Sequence, residues 1–359
     1  MVRLSMSWGR TAVLAAGMAA LLAATAAEAK DYVLRYSDIG PPRGPRAEAL
    51  MWWADELDKR TNGQVKINFF WSQSLVKGKE TLKAVGSGLA ETGTILGVYT
   101  PADLPIWNYA NAPFGNKDAW VGMRTWWELR QTVPELQAEA EKKNVHILFN
   151  NTTGPVELLS RERITDVSGL SGKKVRSTGG WTQLMEGLGA VPVSIGFGEL
   201  YQALDRGTVD ATINYIPFVK SYKHYEVANF VIELKMGQLL GYGAGINLRL
   251  WNSMPEELRK TISEVSDQYM DVYAEKYIKD SDQAKADLIA GIDGKTVEFI
   301  KFTDDELDKM KDKAGVFTVD WKEAMSKKGF DADGFIAKFE AIRAKYEKEV
   351  ETKGYPWER

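Results

Sequence analysis

The sequence predicts an α/β fold made of two interleaved lobes, with one long helix spanning both. Three observations carry this reading. Short apolar runs with a two-residue period alternate with helical periods along the first 250 residues, the order that calls for parallel sheets flanked by helices. A chain of 359 residues exceeds what one hydrophobic core ordinarily serves. From Pro255 onward the pattern is almost entirely helical.

Tyr32 to Tyr36 alternates as a strand, and Gly40-Pro41-Pro42-Arg43-Gly44-Pro45 makes a stiff loop after it. A helix from Arg46 to Arg60 places Leu50, Trp53, Ala54 and Leu57 on one face, and Asn62-Gly63 supplies a left-handed stop. Gln64 to Phe70 is a second strand, Lys79 to Ser87 a short helix and Thr92 to Val98 a buried strand. Trp120 to Lys142 reads as one long helix, and Asn144 to Phe149 returns to the sheet. A second set of units follows, with strands at Val156, Lys173 to Ser177, Val191 to Ser194, Val209 to Asn214, Phe230 to Leu234 and Gly243 to Leu250. Helices are expected over Pro255 to about Ile289, Asp304 to Lys313, Val319 to Lys328 and Asp333 to Glu349, with a capping box between Ser253 and Glu256 at the first. The lobes are expected to comprise residues 30–152 with about 240–279, and about 153–239 with 280–359.

Residues 1–29 read as a cleaved signal peptide: Arg3 and Arg10 precede an Ala- and Leu-rich run from Thr11 to Ala26, and Ala27-Glu28-Ala29 forms a small-x-small cleavage site. The run is shorter than the ~20 residues of a membrane span. Its removal shifts the net charge from −3 to about −4 and leaves no basic face for nucleic acid. Cysteine is absent, which excludes thiolate metal sites and cysteine nucleophiles and suits a periplasmic protein that needs no disulfide. Only His146 and His224 are present, too far apart in sequence to suggest a zinc site.

Enzyme motifs are missing: there is no G-x-S-x-G, H-E-x-x-H, G-x-G-x-x-G or P-loop. No cofactor is expected. The informative stretch runs from Gly172 to Asn214. Arg176 ends a strand and is followed by Ser-Thr-Gly-Gly and a helix from about Trp181 to Leu188, an arrangement suited to a carboxylate or sulfonate. Asn214 ends another strand, and ligands of open α/β sheets bind beyond such carboxyl ends. Phe197 stands between two glycines at a helix entry, a place for either core packing or capping a ligand's apolar side. Trp71, Trp107 and Trp181 lie at element ends, while Trp52, Trp53, Trp126, Trp127 and Trp251 read as core.

Several of these segments together resemble one family. They are Gly172-Lys173-Lys174-Val175-Arg176, Leu188-Gly189-Ala190, Phe197-x-Glu199-Leu200-Tyr201-x-Ala203-Leu204, Gly207-x-Val209-Asp210 and Trp251-x-x-x-Pro255-Glu256. In that order the chain, from Asp31 to about Lys345, resembles the periplasmic solute-binding subunits of TRAP (tripartite ATP-independent periplasmic) transporters, the DctP-like family. The resemblance implies a two-lobed periplasmic binding protein fold that is not an enzyme. It further implies a small organic acid ligand and delivery to the small and large membrane permease subunits. It makes Arg176 the residue that salt-bridges the substrate carboxylate, and places Phe197, Asn214 and Tyr99 in the pocket. Tyr215, beside Asn214, and Trp71 and Trp181 complete the candidate wall. Sialic-acid binders of the family carry a second arginine where Val156 stands here, which argues against that sugar acid. Arg43 or Arg46 is the candidate for a second anionic group.

Overall fold

The computed structural model describes residues 31–113, 116–237 and 241–359; the expected signal peptide lies outside them. The strands are β1 (Tyr32–Ser37), β2 (Val65–Phe70), β3 (Thr92–Leu96), β4 (Val145–Asn151), β5 (Pro155–Ser160), β6 (Lys174–Arg176), β7 (Val191–Val193), β8 (Ala211–Asn214), β9 (Phe230–Gly237), β10 (Tyr242–Asn247) and β11 (Glu298–Lys301). They form two sheets, ordered β2-β1-β3-β10-β4 and β11-β9-β5-β8-β6-β7. β1 pairs in parallel with β2 and β3, while β10 runs antiparallel between β3 and β4. In the second sheet β6 pairs in parallel with β7 and β8, and β5 runs antiparallel to β8 and β9. The chain therefore passes from the first sheet to the second after β4 and returns between β9 and β10. This interleaving ties the two α/β lobes together by more than one strand of backbone.

The eleven α-helices among the described residues are α1 (Pro45–Arg60), α2 (Thr81–Ser87), α3 (Ala119–Thr132), α4 (Pro134–Glu141), α5 (Gly180–Gly187), α6 (Leu200–Asp205), α7 (Ile216–Ser221), α8 (Leu248–Ser253), α9 (Glu256–Ala290), α10 (Asp304–Ser326) and α11 (Ala332–Lys353). The apolar face foreseen for α1 buries Leu50, Trp53 and Leu57 completely, and Asn62 and Gly63 stop that helix at φ 51° and 82°. Trp53 packs edge-on against Tyr36 and Phe149, which in turn meets Tyr269 of α9 at 4.0 Å between ring centroids. The brace is this helix α9. Its first half joins the first lobe through Trp53 Nε1 to Ser266 Oγ (3.2 Å) and Arg124 to Asp267 (2.9 Å). Its second half joins the second lobe through Tyr277 against Phe218 and Lys220 to Asp287 (2.6 Å).

Several expected elements differ. The helix anticipated over Trp120 to Lys142 breaks at Val133, because Pro134 lacks an N–H and forces the preceding residue to an extended φ of −128°. The strand expected to reach Leu250 ends at Asn247, whose side chain accepts from Leu250 N and caps α8. The Ser253–Glu256 capping box does not form: Pro255 is the N-cap of α9, and Ser253 Oγ donates to Leu250 O instead. The two helices expected over 304–328 are the single helix α10, and β11 is a strand within the region read as helical. The last helix, expected with the second lobe, lies against α3 of the first, through Lys345 to Glu128 and Tyr346 against Trp120.

One buried acid gives the fold a pH dependence. Glu157 of β5 is buried, and its Oε2 accepts from Leu234 N at 2.6 Å. Burial pushes its carboxyl up to about 8, with the nearby Glu233 charge adding to the effect and Lys285 opposing it. The folded chain thus holds the proton more tightly than the unfolded one. The stability this provides is complete below the ordinary glutamate range and is lost as pH rises through about 8. Across that window the slope is about 1.4 kcal/mol per pH unit. Glu157→Gln is expected to gain on the wild type as pH rises from 5 to 8.5 in denaturant unfolding. An equal stability difference at both pH values would remove this explanation.

Candidate functional site

Where the lobes face each other, a cavity opens beyond the carboxyl ends of β1, β3, β6 and β8. From the first lobe it is walled by Ile39, Arg46, Leu96, Val98 and Tyr99. From the second come Arg176, Thr178, Phe197, Ile213, Tyr215, Phe218 and Tyr222. Its empty space is about 530 Å³ including the mouth. The walls are close together, and most of their surface is apolar.

Arg176 sits at the last residue of β6, 5 % exposed. Its Nε donates to Ile195 O (3.2 Å), Nη2 reaches the Tyr99 hydroxyl (3.5 Å), and its Cζ lies 5.3 Å from the centre of the Phe197 ring. None of these partners is a carboxylate, and among the described residues no acid forms an ion pair with Arg176. A buried guanidinium in this state retains donors and a full positive charge with nothing to oppose it, which is costly unless an anion arrives.

Phe197 lines the cavity, and its ring is held edge-on by Phe218, Tyr222 and His224. Its backbone N–H donates to the Tyr99 hydroxyl at 3.0 Å, so one tyrosine of the first lobe touches both Phe197 and Arg176 of the second. Tyr215 is also on the wall.

The remaining candidates are placed elsewhere. Asn214 is fully buried behind the wall; its Oδ1 accepts from Tyr215 N (2.8 Å) and its Nδ2 meets His224 Nδ1 (3.0 Å). It positions Tyr215 and His224 and does not line the cavity. Burial, with the Arg176 and Arg43 charges, drives His224 down to about 3, so the ring beneath Phe197 is neutral. Trp181 and Trp107 are core residues, 1 % and 2 % exposed. Trp71 stacks on Phe69 at 4.5 Å and lies 5.8 Å from the Arg46 guanidinium, behind the wall. Arg43 is exposed and donates from Nε to the Ser221 carbonyl, a tie between lobes in a separate groove.

The Gly179-Gly180 pair stands where the two lobes approach each other. Gly179 has φ 57°, and a Cβ on it would stand 2.7 Å from Asn111 Cβ and 3.2 Å from Val98 Cγ2 of the other lobe. A Cβ on Gly180 would meet Pro113 Cδ at 2.5 Å. The glycines let the lobes meet.

The residues that sequence reasoning missed are chiefly Phe218 and Tyr222, on and just after α7. A signal was present: Pro217 directly after Asn214-Tyr215-Ile216 is a helix start.

Two α/β lobes around an apolar cavity with one uncompensated cation define a solute-binding protein. Residues 36–328 match the family described as bacterial extracellular solute-binding protein, family 7 (DctP), and the chain belongs to it. The C4-dicarboxylate-binding periplasmic protein DctP of Rhodobacter capsulatus is 26 % identical over 77 % of this chain and 83 % of its own length. In fold, the chain matches a TRAP solute-binding protein from Rhodoferax ferrireducens, crystallised with copurified benzoate, at TM-score 0.76 and 22 % identity over 89 % of this chain and 99 % of that one. A TRAP periplasmic solute-binding protein from Bordetella bronchiseptica with bound (R)- and (S)-mandelate gives TM-score 0.77 at 20 % identity, covering 88 % and 99 %. Among the described residues no helix is long and apolar enough to cross a membrane.

Proposed function

We propose that this protein is an extracytoplasmic receptor that captures a small organic acid between its lobes and hands it, unchanged, to the membrane permease subunits of a TRAP transporter. The observation that carries the reading is Arg176: a buried guanidinium at a strand end, on the cavity wall and with no ion-paired carboxylate among the described residues. The ligand carboxylate supplies the missing charge, and Tyr99, which touches both Arg176 and Phe197, couples that event to closure. Residues 1–29 act as the export signal, so the receptor works in the periplasm. The carboxylates held by relatives, C4-dicarboxylates in the Rhodobacter protein and benzoate or mandelate in the two structures, support an acid ligand.

A thermal-shift screen of mono- and dicarboxylic acids tests this. A ligand at ~100 times its dissociation constant adds about 2.7 kcal/mol and raises the melting temperature measurably. Stabilisation by acids and not by matched neutral compounds is expected. Recovery of the bound acid unaltered, seen by mass spectrometry, is expected of a carrier, whereas turnover would indicate an enzyme.

A further inference from the structure

Two guanidinium groups reach the cavity, and a single carboxylate stands behind one of them. Arg46, in the first turn of α1, lies with its Nη1 2.6 Å from Asp38 Oδ2, the two side chains 3 % and 0 % exposed. Asp38 is fixed from three sides: it also accepts from Gly40 N at 2.7 Å and from Thr94 Oγ1 at 2.8 Å, and Thr94 is itself bonded to the Tyr36 hydroxyl. Tyr222 of the opposite lobe lines the same cavity as Arg46. Arg46 is therefore neutralised and held in place, while Arg176 is not.

We propose that the cavity takes an acid carrying a single carboxylate on an aromatic body, and that Asp38 is the specificity-determining residue because it withholds Arg46 from the ligand. This rests on the reading of Arg176 as the anion anchor. With Asp38 in place the cavity wall carries one net positive charge, and a monoanion balances it on closure. A dianion would bring its second carboxylate against Asp38 and leave one uncompensated negative charge in a space closed to water, which low-dielectric surroundings penalise heavily. The body is read from the walls. Five rings, those of Tyr99, Phe197, Tyr215, Phe218 and Tyr222, face a narrow gap, and ring pairs prefer the edge-on contacts already present among them. A flat apolar body fits such a gap and leaves no polar group of its own unsatisfied.

Calorimetric titration with benzoate, phenylacetate and succinate tests this on the wild-type protein, Asp38→Asn and Arg176→Ala. In the wild type the better aromatic acid is expected to bind at least about tenfold tighter than succinate, a difference of about 1.4 kcal/mol. Asp38→Asn keeps one acceptor oxygen, for Gly40 N, turns an amide N–H toward the Thr94 hydroxyl and releases the Arg46 charge, and is expected to improve succinate at least about tenfold. Succinate binding as tightly as the aromatic acids, with loss in Arg176→Ala, would overturn the single-charge assignment and leave the receptor reading intact. Failure of both aromatic acids to bind, or an unchanged preference in a folded Asp38→Asn, would also overturn it. Acid binding indifferent to Arg176→Ala would instead overturn the receptor reading. The wild-type preference decides the ligand class even if Asp38→Asn fails to fold.

Discussion

Arg176→Ala is expected to lower affinity for the cognate acid by about 2–5 kcal/mol, roughly thirtyfold to several thousandfold, while leaving the melting temperature of the ligand-free protein unchanged or higher. The reasoning is asymmetric. In the bound state the guanidinium faces a carboxylate in an apolar cavity, so removing it strands a desolvated anion. In the free state the same guanidinium is 5 % exposed with only a carbonyl, a hydroxyl and a ring for company, so its loss removes a burden from the fold. Lysine is not an adequate substitute, since it cannot hold Ile195 O and Tyr99 in a planar fork while meeting an anion. Arg176→Lys is therefore expected to fall between the wild type and alanine. Calorimetry against thermal unfolding separates the two effects, and an affinity equal to wild type in Arg176→Ala would end the proposed role.

Gly179→Ala is expected to lose at least about tenfold in affinity through lobe closure, although position 179 does not line the cavity. An alanine there meets two obstacles. At φ 57° with ψ −140° an L-residue is strained, by about 1–3 kcal/mol. Its Cβ also stands 2.7 Å from Asn111 Cβ, a separation that real side chains do not tolerate, so the lobes must part to relieve it. Small-angle scattering is the discriminating measurement. The wild type contracts when acid is added, whereas the variant stays expanded until much higher ligand concentrations. Contraction of both at the same concentration would show that the contact between Gly179 and Asn111 does not limit closure.

The pattern of what the sequence revealed has physical causes. Strands and helices were legible because their apolar periods are strong: Leu50, Trp53 and Leu57 on α1 are a fully buried face. Arg176 was legible because a strand end followed by two glycines marks the edge of a sheet, where open α/β folds bind their ligands. The direction of a side chain at an element end was not legible. Asn214 and Trp181 stand at the right places in the chain, yet one turns to His224 and the other into the core. Charge pairing in a loop was hidden as well. Arg46 appeared as a candidate second cation, but nothing in its spacing announced that Asp38, eight residues earlier, would take it. The neighbour that Gly179 and Gly180 accommodate was not legible either: it is the opposite lobe, at Asn111, Val98 and Pro113.

On the proposed reading, the buried guanidinium of Arg176, which has no ion-paired acid among the described residues, makes this protein a receptor for an anion. The most direct measurement is a paired titration of the acid that stabilises the protein most and its primary amide, which has nearly the same shape and no charge. The amide is expected to show no binding at a hundred times the dissociation constant of the acid, and the difference between the two is expected to collapse in Arg176→Ala. Equal affinity of acid and amide for the wild-type protein would contradict it.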